Sequence, residues 1–238
     1  MTRAERAGTV RTEGAGTFRA EGTGTFRAEG TGTVRAEAGG PAPLLRLDPA
    51  AQDLLFREAR TCTEFTSEPV GDDQVRAIHD LVKYAPTSMN QQPMRVVLLR
   101  SPEARRELAV HLHPGNRPKA ASAPLVALLA ADLDFPETLP YLFPHRPRAG
   151  ELFADPAVRR ESALFNTALQ VAYFIIGVRA AGLAAGPIVG YDADGVNKAF
   201  FGDGRREVVT AVAIGRPRGE PRHPRLPRLP FHDVVSTA

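Results

Sequence analysis

Residues 156–181 read as one long helix whose apolar side chains point almost everywhere. Leu164, Ala168, Leu169, Val171, Ala172, Phe174, Ile175, Ile176 and Val178 leave little of its circumference polar. Such a helix has to be covered on several sides, so the chain must build layers around it. Pro156 suits its first position, and Gly182 stands where a C-terminal cap belongs. The most apolar stretch, residues 168–188, is interrupted by Arg179, Gly182, Gly186 and Pro187. That predicts a buried helix followed by a turn rather than a membrane span.

The rest of the chain supplies candidate layers. Residues 45–57 predict a first helix with Asp48 at its N-cap. Asp72 or Asp73 precedes Val75, Ile78, Leu81 and Val82, spaced for one helical face, and Pro86 ends that helix. Residues 95–100, 124–131 and 208–214 read as strands, with Ser101-Pro102 opening a helix after the first. Ile188 and Val189 start a short strand, and Asp192 caps a short helix reaching Phe200. Residues 136–155 carry Pro and aromatics without a period, the length of a lid or binding loop. Alternating elements with helices in excess predict α/β or α+β.

Ahead of these elements, residues 3–42 repeat with a period of eight: RAERAGTV, RTEGAGTF, RAEGTGTF, RAEGTGTV and a decayed RAEAGGPA. Solenoid repeats need about 20 residues each. These blocks hold at most one large apolar residue apiece (Val10, Phe18, Phe26, Val34). They cannot bury enough surface to offset chain entropy. The expectation is a disordered tail over residues 1–43 and one domain over 44–238, within a chain of 238 residues.

The net charge is +3, too mild to favour nucleic acid as a partner. Arg216, Arg218, Arg222, Arg225 and Arg228 form a local cluster that suits nucleic acid phosphates, one small phosphate, or a solvated arm. Cys62 is the sole cysteine, and the N-terminus carries no apolar signal region. Both fit a reducing, cytoplasmic setting without disulfides. No G-x-G-x-x-G follows a strand, and no phosphate loop or G-x-S-x-G elbow occurs. His111 and His113, two apart on a helix end, do not share a face, so no metal site is expected.

Four segments in order carry a resemblance. They are Ala-Arg-Thr-Cys-Thr-Glu-Phe at 59–65, Tyr-Ala-Pro-Thr-Ser-Met-Asn-Gln-Gln-Pro at 84–93, Gly-Leu-Ala-Ala-Gly-Pro-Ile-Val-Gly-Tyr-Asp at 182–192, and Leu-Pro-Arg-Leu-Pro at 226–230. Together they resemble the FMN-dependent nitroreductase family, and most closely its malonic semialdehyde reductase subgroup. The resemblance implies an α+β fold: a three-layer α-β-α sandwich around a mostly antiparallel sheet, dimer-forming. It also implies hydride transfer from NADH or NADPH through FMN to a small acceptor, an aldehyde such as malonic semialdehyde, a quinone or a nitro compound. The alternative class is a flavin- or nucleic-acid-binding protein without turnover, drawing on the Arg-rich arm.

The resemblance also implies roles. Arg60 and Thr61 hold the FMN phosphate and ribityl chain, and Arg228 reaches the phosphate from the arm; an arginine fork suits a phosphate dianion. Ala59 and Thr63 stand where many relatives have basic residues, with Arg225 as a possible substitute. Pro86, Thr87, Ser88, Asn90 and Gln92 form a cofactor loop, with Asn90 offering a donor and an acceptor to the flavin pyrimidine edge. Pro187, Val189 and Gly190 lie along the flavin and give it a backbone N–H; Val189 replaces a frequent Glu. Phe143 covers the substrate side, and His145 polarises or protonates a carbonyl oxygen. The long helix then belongs to the core of a homodimer with FMN at the subunit interface.

Overall fold

A computed structural model describes residues 44–219 and 224–238, together with four short strands within residues 9–35. The chain divides into Met1–Asp48 and Pro49–Ala238. In the first unit the strands β1 (Thr9–Arg11), β2 (Thr17–Glu21), β3 (Thr25–Ala28) and β4 (Thr33–Arg35) pair antiparallel in sequence order. Each of the four strands carries a Thr-Val or Thr-Phe pair of the repeat, residue types that favour strands. The other residues of the repeat segment, and with them the expectation of disorder, lie outside the described residues.

In the second unit, α1 (Pro49–Gln52) runs into a π turn over Asp53–Arg57, where the sequence predicts one uninterrupted helix. Next come α2 (Asp72–Val82) and β5 (Met94–Leu99). Helix α3 (Pro102–His111) is capped by Ser101, whose hydroxyl accepts from Ala104 N at 3.1 Å. Helix α4 (Arg117–Ser122) leads to β6 (Leu125–Asp132).

Residues 136–155 are not an open loop. They form short turns around α5 (Leu139–Leu142), where Phe135, Leu139, Ala149 and Phe153 build a small core with Ala163. The aromatics that blur the periodicity are what hold this segment down.

Helix α6 (Pro156–Ala180) follows, with the Asp155 carboxylate accepting from Ala157 N at 2.8 Å. Strand β7 (Ala184–Ile188) begins earlier than expected and ends at Ile188, leaving Val189 exposed beyond it. Helix α7 (Ala193–Phe200), β8 (Arg206–Gly215) and α8 (Phe231–Val234) complete the chain.

The sheet order is β5-β6-β8-β7, every pairing antiparallel. β6 is buried throughout and alternates cleanly. Val126, Leu128 and Ala130 face Leu108, Leu112, Val196 and Phe201 of the α3, α4 and α7 side. Leu125, Ala127 and Leu129 face Ile78, Val82, Phe174 and Val178 of α2 and α6. A strand apolar on both faces requires covering on both, and three layers result. A bulge opposite Leu129/Ala130 shifts the phase of β8, so Val208 shares a face with Ala211 and Ala213. Helix α6 packs against the sheet and against α2, where Gly177 lies on Ile78 and Val82. Phe165, Leu169 and Tyr173 form an apolar row left exposed in the single chain.

Candidate functional site

Two groups of residues gather at the sheet ends. The first forms where β7 stops. Gly186 lets the 60–62 segment lie against the strand: a Cβ there would run into the Cys62 carbonyl and come within 3.0 Å of Lys119 Cδ. The segment docks through Cys62 N, which donates to Ala185 O at 3.1 Å. The turn before α4 then clasps residues 187–190. His113 N donates to Gly190 O at 2.9 Å, Asn116 Nδ2 to the same oxygen at 3.1 Å, and Lys119 Nζ to Pro187 O at 3.1 Å. A Cβ on Gly190 would sit 2.8 Å from Asn116 Nδ2 and push that amide off the Gly190 carbonyl.

Cations crowd this group. Arg60 Nε and Nη1 are buried without a hydrogen-bond partner. Arg225 Nη2 donates to Ala59 O at 3.1 Å, which brings the C-terminal arm to Arg60. Arg179 Nη1 donates to Leu55 O at 2.8 Å, and burial together with the nearby Arg225 cation lowers its pKa. Burial likewise pushes Lys119 down against the opposing influence of Cys62, and burial pushes the Cys62 thiol up. Among the described residues none of these four cations is ion-paired. The two buried, unmatched Arg60 nitrogens fit a phosphate dianion. Thr61 is exposed beside Arg60, and Val189 points outward, leaving main chain as the feature that 187–190 presents.

Arg228 is elsewhere in its bonding: its Nη1 donates to Leu226 O and Pro227 O of its own arm, at 2.9 and 3.1 Å. Arg216 pairs with Glu68, and Arg218 donates to Phe65 O. Of the Arg cluster, Arg222 lies outside the described residues.

The second group is the loop before β5. Met89, Asn90 and Gln92 all hold positive φ, at 50°, 52° and 45°. Asn tolerates that region through its short polar side chain, but Met and Gln there store strain of order 1–3 kcal/mol each. The loop is closed by Gln92 N donating to Thr87 Oγ1 at 3.2 Å and Gln92 Nε2 donating to Asn90 Oδ1 at 2.8 Å. Asn90 Nδ2 donates to Leu142 O at 2.9 Å, so α5 and its Phe143 lie beside the loop. Phe143 stacks with His145 at 3.9 Å between ring centroids, and the His is exposed. A cleft of about 530 Å³ opens along His79, Lys83, Tyr84, Pro86, Thr87, Asn90 and Gln92.

The expected residues therefore fall into these two groups: Arg60, Thr61, Pro187, Val189 and Gly190 in one, and Pro86, Thr87, Ser88, Asn90, Gln92, Phe143 and His145 in the other. Among the described residues no hydrogen bond, ion pair or ring contact joins them. Sequence reasoning missed Asn116 and Lys119, although Asn-Arg-Pro-Lys at a helix start, with its polar ends one turn apart, was a readable signal.

The model of the nitroreductase family matches residues 56–216. The chain belongs to the nitroreductase family. The match holds both groups except Arg225 and the arm. A Streptomyces griseus relative named "Putative NADH dehydrogenase/NAD(P)H nitroreductase" is 59% identical over 194 residues, which cover 81% of this chain and 98% of the relative. A Streptomyces coelicolor protein of the same name is 58% identical over the same shares. Among solved structures, a "putative nitroreductase in complex with FMN" from Exiguobacterium sibiricum superposes with a TM-score of 0.68. At 21% identity, over 79% of this chain and 96% of that one, it supports the nitroreductase fold.

Proposed function

We propose that this nitroreductase-family chain binds FMN and passes hydride from NADH or NADPH to a small organic acceptor. The observation that carries the reading is Arg60, whose Nε and Nη1 are buried and unpartnered next to the Ala59 carbonyl that Arg225 reaches. The FMN bound by the Exiguobacterium sibiricum protein and the names of the Streptomyces relatives agree with it.

The residues present fit the group. Arg60 and Arg225 supply donors to the phosphate, with Thr61 for the ribityl chain. Lys119 and Asn116 hold residues 187–190 so that the Gly190 main chain approaches a planar ring without side-chain hindrance. Asn90 presents a donor and an acceptor to the pyrimidine edge. When bound, FMN supplies the hydride relay between nucleotide and acceptor. Phe143 shields the acceptor side from water, and His145 holds a proton near an acceptor oxygen. No side-chain nucleophile is needed.

We further propose a homodimer. The two residue groups of one chain are not joined, and the exposed row Phe165, Leu169 and Tyr173 on α6 needs covering. FMN then lies between the first group of one copy and the second group of the other. The buried, unpaired Cys62 suits a reducing cytoplasm. For the acceptor we favour a malonic-semialdehyde-like aldehyde over quinones and nitro compounds, on the subgroup resemblance and on Val189.

The test is reconstitution with FMN followed by NADH and NADPH oxidation with malonic semialdehyde, menadione and a nitrofuran. Purified protein should be yellow, with the aldehyde giving the highest kcat/KM. Failure to retain FMN would overturn the cofactor reading; a preference for menadione or the nitrofuran would overturn only the acceptor.

A further inference from the structure

Helix α6 carries a polar seam on an otherwise apolar cylinder. Ser162, Asn166 and Gln170 recur every fourth residue and so share one face, one turn apart. Asn166 and Gln170 are buried, at 2% and 7% exposure. The face meets the left-handed loop. Ser88 N donates to Asn166 Oδ1 at 2.7 Å. Ser162 Oγ and Asn166 Nδ2 both donate to Gln91 Oε1, at 3.0 and 3.1 Å, and Gln91 is wholly buried. Met94 N donates to Gln170 Oε1 at 2.9 Å where the loop enters β5. Three helix side chains thus pin the segment before, within and after the residues of positive φ.

We propose that Asn166, supported by Ser162 and Gln170, is a positioning residue that holds the strained 88–92 loop so that Asn90 meets the flavin ring; this rests on the FMN reading above. The physical ground is the cost of the conformation. Met89 and Gln92 would relax to negative φ if the loop were free. Asn166 opposes that from both sides of Met89, accepting from Ser88 N and donating to Gln91 Oε1. One side chain therefore fixes the loop's two shoulders, and Asn90 between them keeps its direction. A seam serving packing alone would be built of Leu or Ala, since buried amides are costly, and here Gln91 Nε2 is left buried without a partner.

The experiment is a double-mutant cycle on FMN affinity, read by quenching of flavin fluorescence, with Asn166→Ala, Asn90→Ala and the pair. Melting temperature and amide exchange of residues 88–92 are recorded on the flavin-free chains. Asn166→Ala should weaken FMN and riboflavin equally, by about tenfold, the effect of losing one buried hydrogen bond with its partner left unmet. It should speed exchange across 88–92, and in the Asn90→Ala background its effect on affinity should shrink to about twofold or less. Ser162→Ala, which leaves the Asn166 bonds to Ser88 N and Gln91 Oε1 in place, gives the same pattern more weakly and serves if Asn166→Ala does not fold. An equal loss with and without Asn90, or unchanged affinity in a folded variant, would overturn the positioning role while leaving the FMN reading intact. Wild-type protein that takes up no FMN overturns both.

Discussion

Lys119 Nζ lies 3.1 Å from the Pro187 carbonyl, so a half-buried cation is tied to the strand end that Gly190 closes. Burial holds this lysine below its ordinary value of 10.5, with Cys62 opposing. Between the lowered folded value and 10.5 the unfolded chain binds more protons, so stability rises with pH across that window. Below the folded value the penalty of the buried charge is constant. Flavin-free protein should therefore gain melting temperature relative to Lys119→Met as the pH climbs toward 10.5. The comparison belongs in a Cys62→Ala background, because the raised thiol titrates with the opposite sign. A pH-independent difference between the two proteins would reject this account.

Arg60 offers a test of the proposed phosphate contact apart from the ring. Its unpartnered nitrogens predict that Arg60→Ala weakens FMN by about tenfold to a hundredfold, the range for hydrogen bonds to a charged group. Riboflavin, which lacks the phosphate, should bind the variant as it binds the wild type. Equal losses for both ligands, in parallel fluorescence titrations, would place Arg60 away from the phosphate.

Arg225 and Arg228 are three residues apart on the same arm but differ in what they touch. Arg225 reaches Ala59 beside Arg60, whereas Arg228 bonds carbonyls of its own arm. Arg225→Ala should cost about tenfold in FMN affinity and Arg228→Ala about twofold or less. The reverse ranking would support the phosphate role that the Leu-Pro-Arg-Leu-Pro resemblance implies for Arg228.

The octapeptide segment should be dispensable. The Streptomyces griseus relative is matched over 98% of its length by 81% of this chain. Protein lacking residues 1–43 is expected to keep the flavin content, melting temperature and kcat/KM of the full chain. A substantial fall in any of these on side-by-side assay would assign the repeats a part in the site.

Much of this was legible in the residues. Pattern alone places the helices at Asp72–Val82 and Pro156–Ala180, because their caps and apolar spacing agree. Three of the strands follow from three apolar runs, but their antiparallel pairing was implied only by the family resemblance and their order was not legible, since pairing is decided by contacts far apart in sequence. Residues 136–155 misled for a local reason: Pro and aromatic residues hide the period of turns too short to show one. Within the site, Arg60, Asn90 and Gly190 were readable from motifs. Lys119 and the Ser162, Asn166 and Gln170 seam were not. Their meaning lies in which backbone atoms they meet, and on paper the seam is diluted by the apolar residues between its members.

The separation of the Asn90 loop from the Gly190 strand end reaches beyond architecture. In the proposed homodimer, a cofactor gripped by one group from each of two copies would act as a molecular clamp between them. Its retention then obeys mass action in protein as well as in flavin. Dilution should bleach the protein, and added FMN should drive subunits together, so flavin supply in the cell would set how much of this chain exists in paired form.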